Sequence, residues 1–258
     1  MANNIVSSIL QTGLYIQIIG KRILYYTNIA STMDKAREEA EEGSDEGLIV
    51  IAEEQSNARG RFKREWISPP GNIYLSILLR PTMSVLPYIS LISGLSVVKS
   101  INKSTELQSA TKWPNDVIIG NKKVAGILTE GVISKSNTSY SIVGIGINVN
   151  ANPTTMSNKL SMEATSLSDL THTSVSREKV LLSLIHELDQ LYVSASNGIF
   201  PVEEFRQTID TLGKPIDVTW RNERYSGIAE DIDENGNLIL RLNDGSVKTL
   251  LAGEVTLR

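Results

Sequence analysis

Lys112-Trp113-Pro114-Asn115-Asp116-Val117-Ile118-Ile119-Gly120-Asn121-Lys122-Lys123-Val124-Ala125-Gly126 reads as a hairpin with cations close by. Gly120-Asn121 separates the β-prone runs Val117 to Ile119 and Val124 to Glu130, and a Gly/Asn pair suits a tight turn because both residues tolerate left-handed backbone. Ahead of the hairpin, Trp113 supplies a large apolar surface, Pro114 fixes the chain path, and Asn115 and Asp116 can orient donors or a water network. A strand pair that folds back on itself carries Lys123 toward Lys112, where two ammonium groups suit one anionic ligand. The plainer reading of these residues is a turn with one buried Trp and satisfied polar neighbours.

Outward from this hairpin the chain alternates strand and helix. Leu24 to Tyr26 is a short strand candidate, and Ser31 or Thr32 can cap the charged helix Met33 to Glu42 that follows it. Leu48 to Ala52 and Ile73 to Leu79 read as strands flanking a charged loop, and Ile89 to Ile101 as a core helix beginning near Pro87. In the strand Ser141 to Val149, Gly144 and Gly146 fall on one side and remove side chains there, so a ligand or a helix can approach the backbone. Ser176 to Ser194 carries Leu181, Leu184, Ile185, Leu188, Leu191 and Tyr192 on one helical face, with His186 expected opposite and toward solvent. Phe200 to Leu212 is predicted as a shorter helix closed by Gly213. Five short β segments follow, from Ile216 to Leu257, with turns at Asp233 to Gly236 and Asn243 to Gly245. The expected organisation is therefore a domain over residues 1–212 and a small β module over 213–258.

The chain has 258 residues, 25 Lys plus Arg against 29 Asp plus Glu, and a formal net charge of -4. That length supports one core of roughly 200 residues with an appendage. A mildly acidic chain has no global field to collect nucleic acid. The absence of Cys excludes disulfides, thiolate nucleophiles and Cys-based metal sites, and fits a cytoplasmic protein. No secretory signal is expected at the N-terminus. Pro81 to Val98 is uncharged, but its prolines, hydroxyl residues and Gly94 favour a buried helix over a membrane span.

Gln55-Ser56-Asn57-Ala58-Arg59-Gly60-Arg61-Phe62-Lys63-Arg64-Glu65-Trp66 gathers four cations around Gly60, which is taken as the permissive point of the loop. Guanidinium donors and successive loop amides suit a phosphate, although a solvated basic loop has the same composition. With Lys112 and Lys123 the pattern favours a polyphosphate and displacement at phosphorus, where neutralising charge matters more than a side-chain nucleophile. His172 and His186 lack a Ser-His-Asp context, and no GxxxxGK[ST] or GxGxxG is present.

Taken in order, Ile29-Ala30-Ser31-Thr32, Gln55 to Arg61 with Trp66, Lys112 to Asp116, Lys123-Val124-Ala125-Gly126 and Gly144-Ile145-Gly146-Ile147-Asn148 closely resemble the catalytic portion of biotin protein ligases. The resemblance extends over nearly the whole chain. It implies an α+β fold, with a mixed β-sheet catalytic domain like that of class II aminoacyl-tRNA synthetases and a C-terminal SH3-like β-barrel. The activity implied is ATP-dependent: biotin is activated as biotinyl-5'-AMP with release of pyrophosphate, then transferred to a lysine of a biotin carboxyl carrier domain. Mg2+ would accompany ATP, with no protein metal ligands assigned.

By the same resemblance, Ser31, Thr32, Gln55, Gly126, Gly144 and Gly146 are expected to bind biotin. Arg59, Gly60, Arg61, Trp66, Asn115, Asp116, Lys123 and Asn148 are expected around ATP or the adenylate, and Lys123, Arg59, Arg61 and Lys112 carry the catalytic charge. Leu128 and Ile142 are candidate apolar walls. Two motifs depart from the family pattern: Met33 stands where Ser-Thr-Asn has Asn, and Ala58 and Lys63 replace the outer glycines of GRGRRG. The start of the chain near the catalytic motifs predicts neither a winged helix-turn-helix domain nor DNA binding, and the family implies a homodimer. The competing expectations are lipoate or octanoate protein ligation, which shares the carrier-lysine logic, and an RNA-binding or scaffold protein.

Overall fold

A computed structural model describes residues 15–132, 140–152, 154, 164–221, 223–251 and 253–257. β1 (Ile23–Ile29) and β2 (Ile49–Gln55) are parallel, so the chain between them must cross over, and α1 (Thr32–Glu41) makes that crossing. Ser31 caps α1, its Oγ accepting from the Asp34 amide at 3.3 Å. The helix buries Met33, Ala36 and Ala40 at helical spacing against Val50, Leu78 and Ile142 of the sheet.

β3 (Ile73–Leu79), β4 (Ala110–Lys112), β5 (Asp116–Ile119), β6 (Lys122–Val132) and β7 (Tyr140–Ile147) complete a seven-stranded sheet in the order β1-β2-β3-β7-β6-β5-β4. Its pairings beyond β1 and β2 are antiparallel. β5 and β6 form the hairpin about Gly120-Asn121, with Gly120 at φ 59. The sheet's other face packs on α2 (Ile89–Ser104) and α4 (Arg177–Ser196). α2 takes up the later part of the uncharged Pro81 to Val98 stretch, with its serines, and runs on through Lys99 and Lys103. Ser93, Ser96 and Ser100 donate to the carbonyls of Ile89, Ile92 and Val97, so their hydroxyls are satisfied inside an apolar core. No helix among the described residues is long and apolar enough to cross a membrane.

α4 differs from its simple apolar stripe. Asp189 is fully buried and accepts the amides of Gln17, Ile18 and Ile19, each at 2.8 Å, which anchors the segment leading into β1. His186 does not face solvent as expected: it is half-buried, and its Nδ1 has no hydrogen-bond partner. A short helix, α3 (Leu167–Thr171), precedes α4 and ends at His172 in left-handed backbone.

α5 (Val202–Thr208) is shorter than the predicted Phe200 to Leu212. Ile209 leaves the helix to bridge Thr111, and the Asp210 amide donates to the Thr111 carbonyl, so pairing with β4 wins over another helical turn. Gly213 therefore does not cap the helix. At φ 76 it turns the chain into the next sheet, its amide donating to Ala229. That sheet contains β8 (Pro215–Trp220), β9 (Glu223–Ile232), β10 (Leu238–Leu242), β11 (Val247–Leu250) and β12 (Glu254–Leu257), in the antiparallel order β11-β10-β9-β8-β12. Ile216, Val218, Ala229, Ile232, Leu238, Leu240 and Leu250 are its buried apolar residues.

Candidate active site

On the α1 side of the large sheet lies a cavity of about 770 Å³, lined by residues from both sheets. Its floor is possible because three strand positions lack side chains. A Cβ on Gly144 would sit 2.7 Å from Met33 Sδ, one on Gly126 would sit 2.9 Å from the Trp66 ring, and one on Gly146 would sit 2.7 Å from that ring.

One end of the cavity is neutral and polar. Ser31 and Thr32 stand at the start of α1, and Gln55 at the end of β2. Gln55 Oε1 accepts from the Thr32 amide at 2.8 Å and from Thr32 Oγ1 at 3.0 Å, while its Nε2 donates to Ser68 Oγ. Ser76 Oγ in turn donates to Thr32 Oγ1, so this end is held in one orientation by a connected network.

The opposite end is cationic. Lys123 Nζ lies 2.6 Å from Asp116 Oδ1 and 5.1 Å from the centroid of the Trp66 ring. Arg61 Nη1 donates to Asn115 Oδ1 at 2.9 Å and to the Gly253 carbonyl at 3.0 Å. Asn115 is itself fixed by donating Nδ2 to Ile127 O. Lys112 lines the same end. The buried side-chain atoms without a hydrogen-bond partner include Trp66 Nε1, Asp116 Oδ1 and Asn148 Oδ1, all on cavity residues. Asp116 Oδ1 is ion-paired with Lys123 without a well-aligned hydrogen bond. Buried polar atoms left open in this way suit a polar ligand.

The loop over the cavity is a small antiparallel turn: the Gly60 amide donates to Arg64 O at 2.8 Å, and the Trp66 amide to Ala58 O at 3.0 Å. Its conformational demand does not fall on Gly60, which is extended at φ -99 and ψ -164. Phe62 and Lys63 take the left-handed backbone, at φ 56 and 59. The Phe62 ring is exposed, with the guanidinium groups of Arg61 and Arg64 at 5.1 and 5.9 Å from its centroid.

The sequence pattern of the biotin/lipoate A/B protein ligase family matches residues 25–148, and that of the biotin protein ligase C-terminal domain matches residues 211–258. The bifunctional ligase/repressor BirA of Bacillus subtilis is 31% identical over 250 residues, covering 95% of this chain and 77% of that protein. The biotin–[acetyl-CoA-carboxylase] ligase of Paracoccus denitrificans is 32% identical over 201 residues, covering 74% of this chain and 83% of that one. The chain belongs to the biotin protein ligase family. Among solved structures, the Aquifex aeolicus biotin protein ligase in complex with biotin and ATP superposes with a TM-score of 0.79 at 29% identity, covering 92% of this chain and 99% of that one.

In this biotin protein ligase the fifteen residues singled out from the sequence all line the one cavity, although they come from separate strands, loops and a helix start. Leu128 is also on its wall, but Ile142 is not: it lies under α1, packed with Met33, Ala36 and Ala40. Gly253, just before β12, and Val255 within it line the cavity too, and sequence reasoning passed over them because neither carries a distinctive side chain. Also unforeseen are the partners of Arg59, whose guanidinium reaches Asp34 at 2.8 Å and Glu130 at 3.3 Å. Burial works against that charge, yet the two carboxylates outweigh it and raise the Arg59 pKa. No local signal in the sequence points to these partners, since Glu130 lies 71 residues from Arg59.

Proposed function

We propose that this ligase activates biotin by adenylation in the cavity and then passes it to a lysine of a biotin carboxyl carrier domain. The observation that carries the reading is the cavity's polarity: a neutral hydrogen-bonding end at Thr32 and Gln55 faces a cationic end at Arg61, Lys112 and Lys123 across a side-chain-free glycine floor. Such a site suits a molecule that is a neutral ring system at one end and an acyl phosphate at the other. The C-terminal domain match and the ligase names of the relatives favour biotin over lipoate.

In the first step a biotin carboxylate oxygen attacks the α-phosphorus of ATP. The new P–O bond forms as the bond to pyrophosphate breaks, and pyrophosphate leaves with the electron pair. Both reacting partners are anions, so Lys123 acts by neutralising the carboxylate and the α-phosphate together, while Arg61 and Lys112 offset charge on the phosphates. Asp116 keeps the Lys123 ammonium in place, and Asn115 does the same for Arg61. We assign Ser31, Thr32, Gln55, Gly126, Gly144 and Gly146 to the biotin end, and Gly60, Trp66, Asn115, Asp116 and Asn148 to the nucleotide end. In the second step the neutral amine of the carrier lysine attacks the acyl carbon. AMP departs with the electron pair, and the amine proton is lost to form the amide.

ATP enters as its magnesium complex. Magnesium takes one or two carboxylates, phosphate oxygens and water, and the Asp116 carboxylate, whose Oδ1 is ion-paired with Lys123 but makes no well-aligned hydrogen bond, would supply one of them at the phosphate end. Among the described residues no group of three or more acidic or His side chains forms a protein cage. We place the reaction in the cytoplasm of the cell, carried out by a homodimer. The test is to incubate the protein with ATP, magnesium, biotin and a carrier domain, following carrier mass and AMP. Biotinyl transfer is expected; selective transfer of lipoate instead would overturn the biotin assignment, and no transfer to any cognate carrier would overturn both.

A further inference from the structure

The loop over the cavity is fastened by a closed ring of four charges. Arg59 lies 2.8 Å from Asp34 Oδ1 through Nη1 and 3.3 Å from Glu130 Oε2 through Nη2. Arg37 closes the ring, with Nη2 on the same Glu130 oxygen and Nη1 3.5 Å from Asp34 Oδ1. Two guanidinium groups and two carboxylates thus bind α1, the loop and β6 together, with their charges summing to zero. Each pair is partly exposed and weak alone, but the fork of each Arg is engaged on both sides, which fixes direction as well as distance.

Arg59 therefore differs from Arg61, two residues further on. Both line the cavity, yet the Arg59 guanidinium is turned to Asp34 and Glu130, while Arg61 reaches Asn115 and Gly253. Arg59 also bridges Glu65 across the loop, so fixing it fixes the arm that carries the Gly60 amide and Arg61.

We propose that Asp34 and Glu130 are positioning residues that act through Arg59, clamping the first arm of the 58–66 loop to α1 so that Arg61 is held at the phosphate end. The proposal rests on the adenylation reading above. The clamp lies outside the cationic end, so loosening it should weaken ATP binding more than it slows chemistry once ATP is seated.

The test uses the full chain as wild type, Glu130→Gln, Glu130→Asp, Asp34→Asn, Arg59→Ala and the Arg59→Ala/Glu130→Gln double variant. The first measurement is the initial rate of tryptic cleavage after Arg61, Lys63 and Arg64, which tracks how often the loop opens. Glu130→Gln and Asp34→Asn should each raise it about fivefold, Glu130→Asp should return it toward wild type, and the double variant should match Arg59→Ala. The second is biotin-dependent exchange of pyrophosphate into ATP, in which the ATP KM should rise about fivefold in Glu130→Gln while kcat changes less than about twofold. Unchanged cleavage in both Glu130→Gln and Asp34→Asn overturns the clamp whatever the exchange assay gives. Additive effects in the double variant overturn action through Arg59. A wild type that performs no exchange defeats the adenylation reading instead, and the cleavage rates still judge the clamp.

Discussion

The Trp66 ring stands against Gly146, so that a Cβ there would fall 2.7 Å from Cε2, Cζ2 and Nε1 of the indole. Gly144, two residues earlier on the same strand face, has a similar approach from Met33, at 2.7 Å from Sδ and 2.9 Å from Cγ. The two contacts look alike in distance and differ in compliance. An indole is a rigid plate already set against Gly126 and Gly146, whereas a Met side chain turns about three bonds.

Gly146→Ala should therefore be the more damaging change. Displacing the indole is expected to cost about 1–3 kcal/mol of stability and to lower single-turnover adenylate formation at least tenfold. Gly144→Ala should cost under about 1.5 kcal/mol, because Met33 can repack. Chemical denaturation with quenched-flow detection of the adenylate compares them, and equal losses would show that Met33 is as fixed as Trp66.

Lys123 carries the central charge of the proposed chemistry. Lys123→Ala should reduce adenylate formation by about 10²-fold or more, the scale seen when a preorganised electrostatic group is removed from developing charge. Because Lys123 also balances Asp116, Lys123→Arg keeps that ion pair and should retain more activity than Lys123→Ala. Equal single-turnover rates for wild type and Lys123→Ala would reject the role.

The loop pays for its shape at non-glycine positions. Lys63 holds φ 59, a conformation costing an L-residue about 1–2 kcal/mol, part of which glycine gives back through its freer unfolded chain. Lys63→Gly should raise Tm by about 1–2 °C in a chain of this size and leave adenylation intact. A lower Tm in differential scanning calorimetry would mean that the Lys63 side chain itself holds the loop.

Glu187 links stability to acid. It is nearly buried on α4; burial tends to raise its pKa, but Lys103 and Lys99 outweigh that and hold it below the usual 4.5. The folded chain therefore binds this proton less tightly than the unfolded chain does. The contribution is fully present above pH of about 4.5 and is lost as pH falls through the lower folded value. Glu187→Gln should flatten the decline in unfolding free energy below pH of about 4.5. An unchanged acid slope in urea titrations would assign that decline to other carboxylates.

The elements themselves were legible because each rests on local chemistry. Ser31 before an amphipathic run starts a helix, Gly120-Asn121 turns a hairpin, and Gly144 and Gly146 clear one strand face whatever the rest of the chain does. The ordered motifs also identified the family, and the residues they drew attention to line one cavity. Where a local signal misled at the end of α5, a tertiary contact was responsible: Ile209 left its helix to pair with Thr111. His186, expected in solvent, is partly buried with its Nδ1 enclosed.

Only the folded chain decides which partners each cation has. Arg59 and Arg61 are two residues apart and chemically identical, yet one is bound to Asp34 and Glu130 while the other reaches Asn115, 54 residues away, and Gly253, 192 residues away. Sequence fixes what a side chain can do, because charge, hydrogen-bonding capacity and backbone freedom belong to the residue. Distance and direction between residues far apart in the chain come from how the sheets and helices bury their apolar faces, and in this protein those distances turn one of two neighbouring arginines to Asp34 and Glu130 and the other to Asn115 and Gly253.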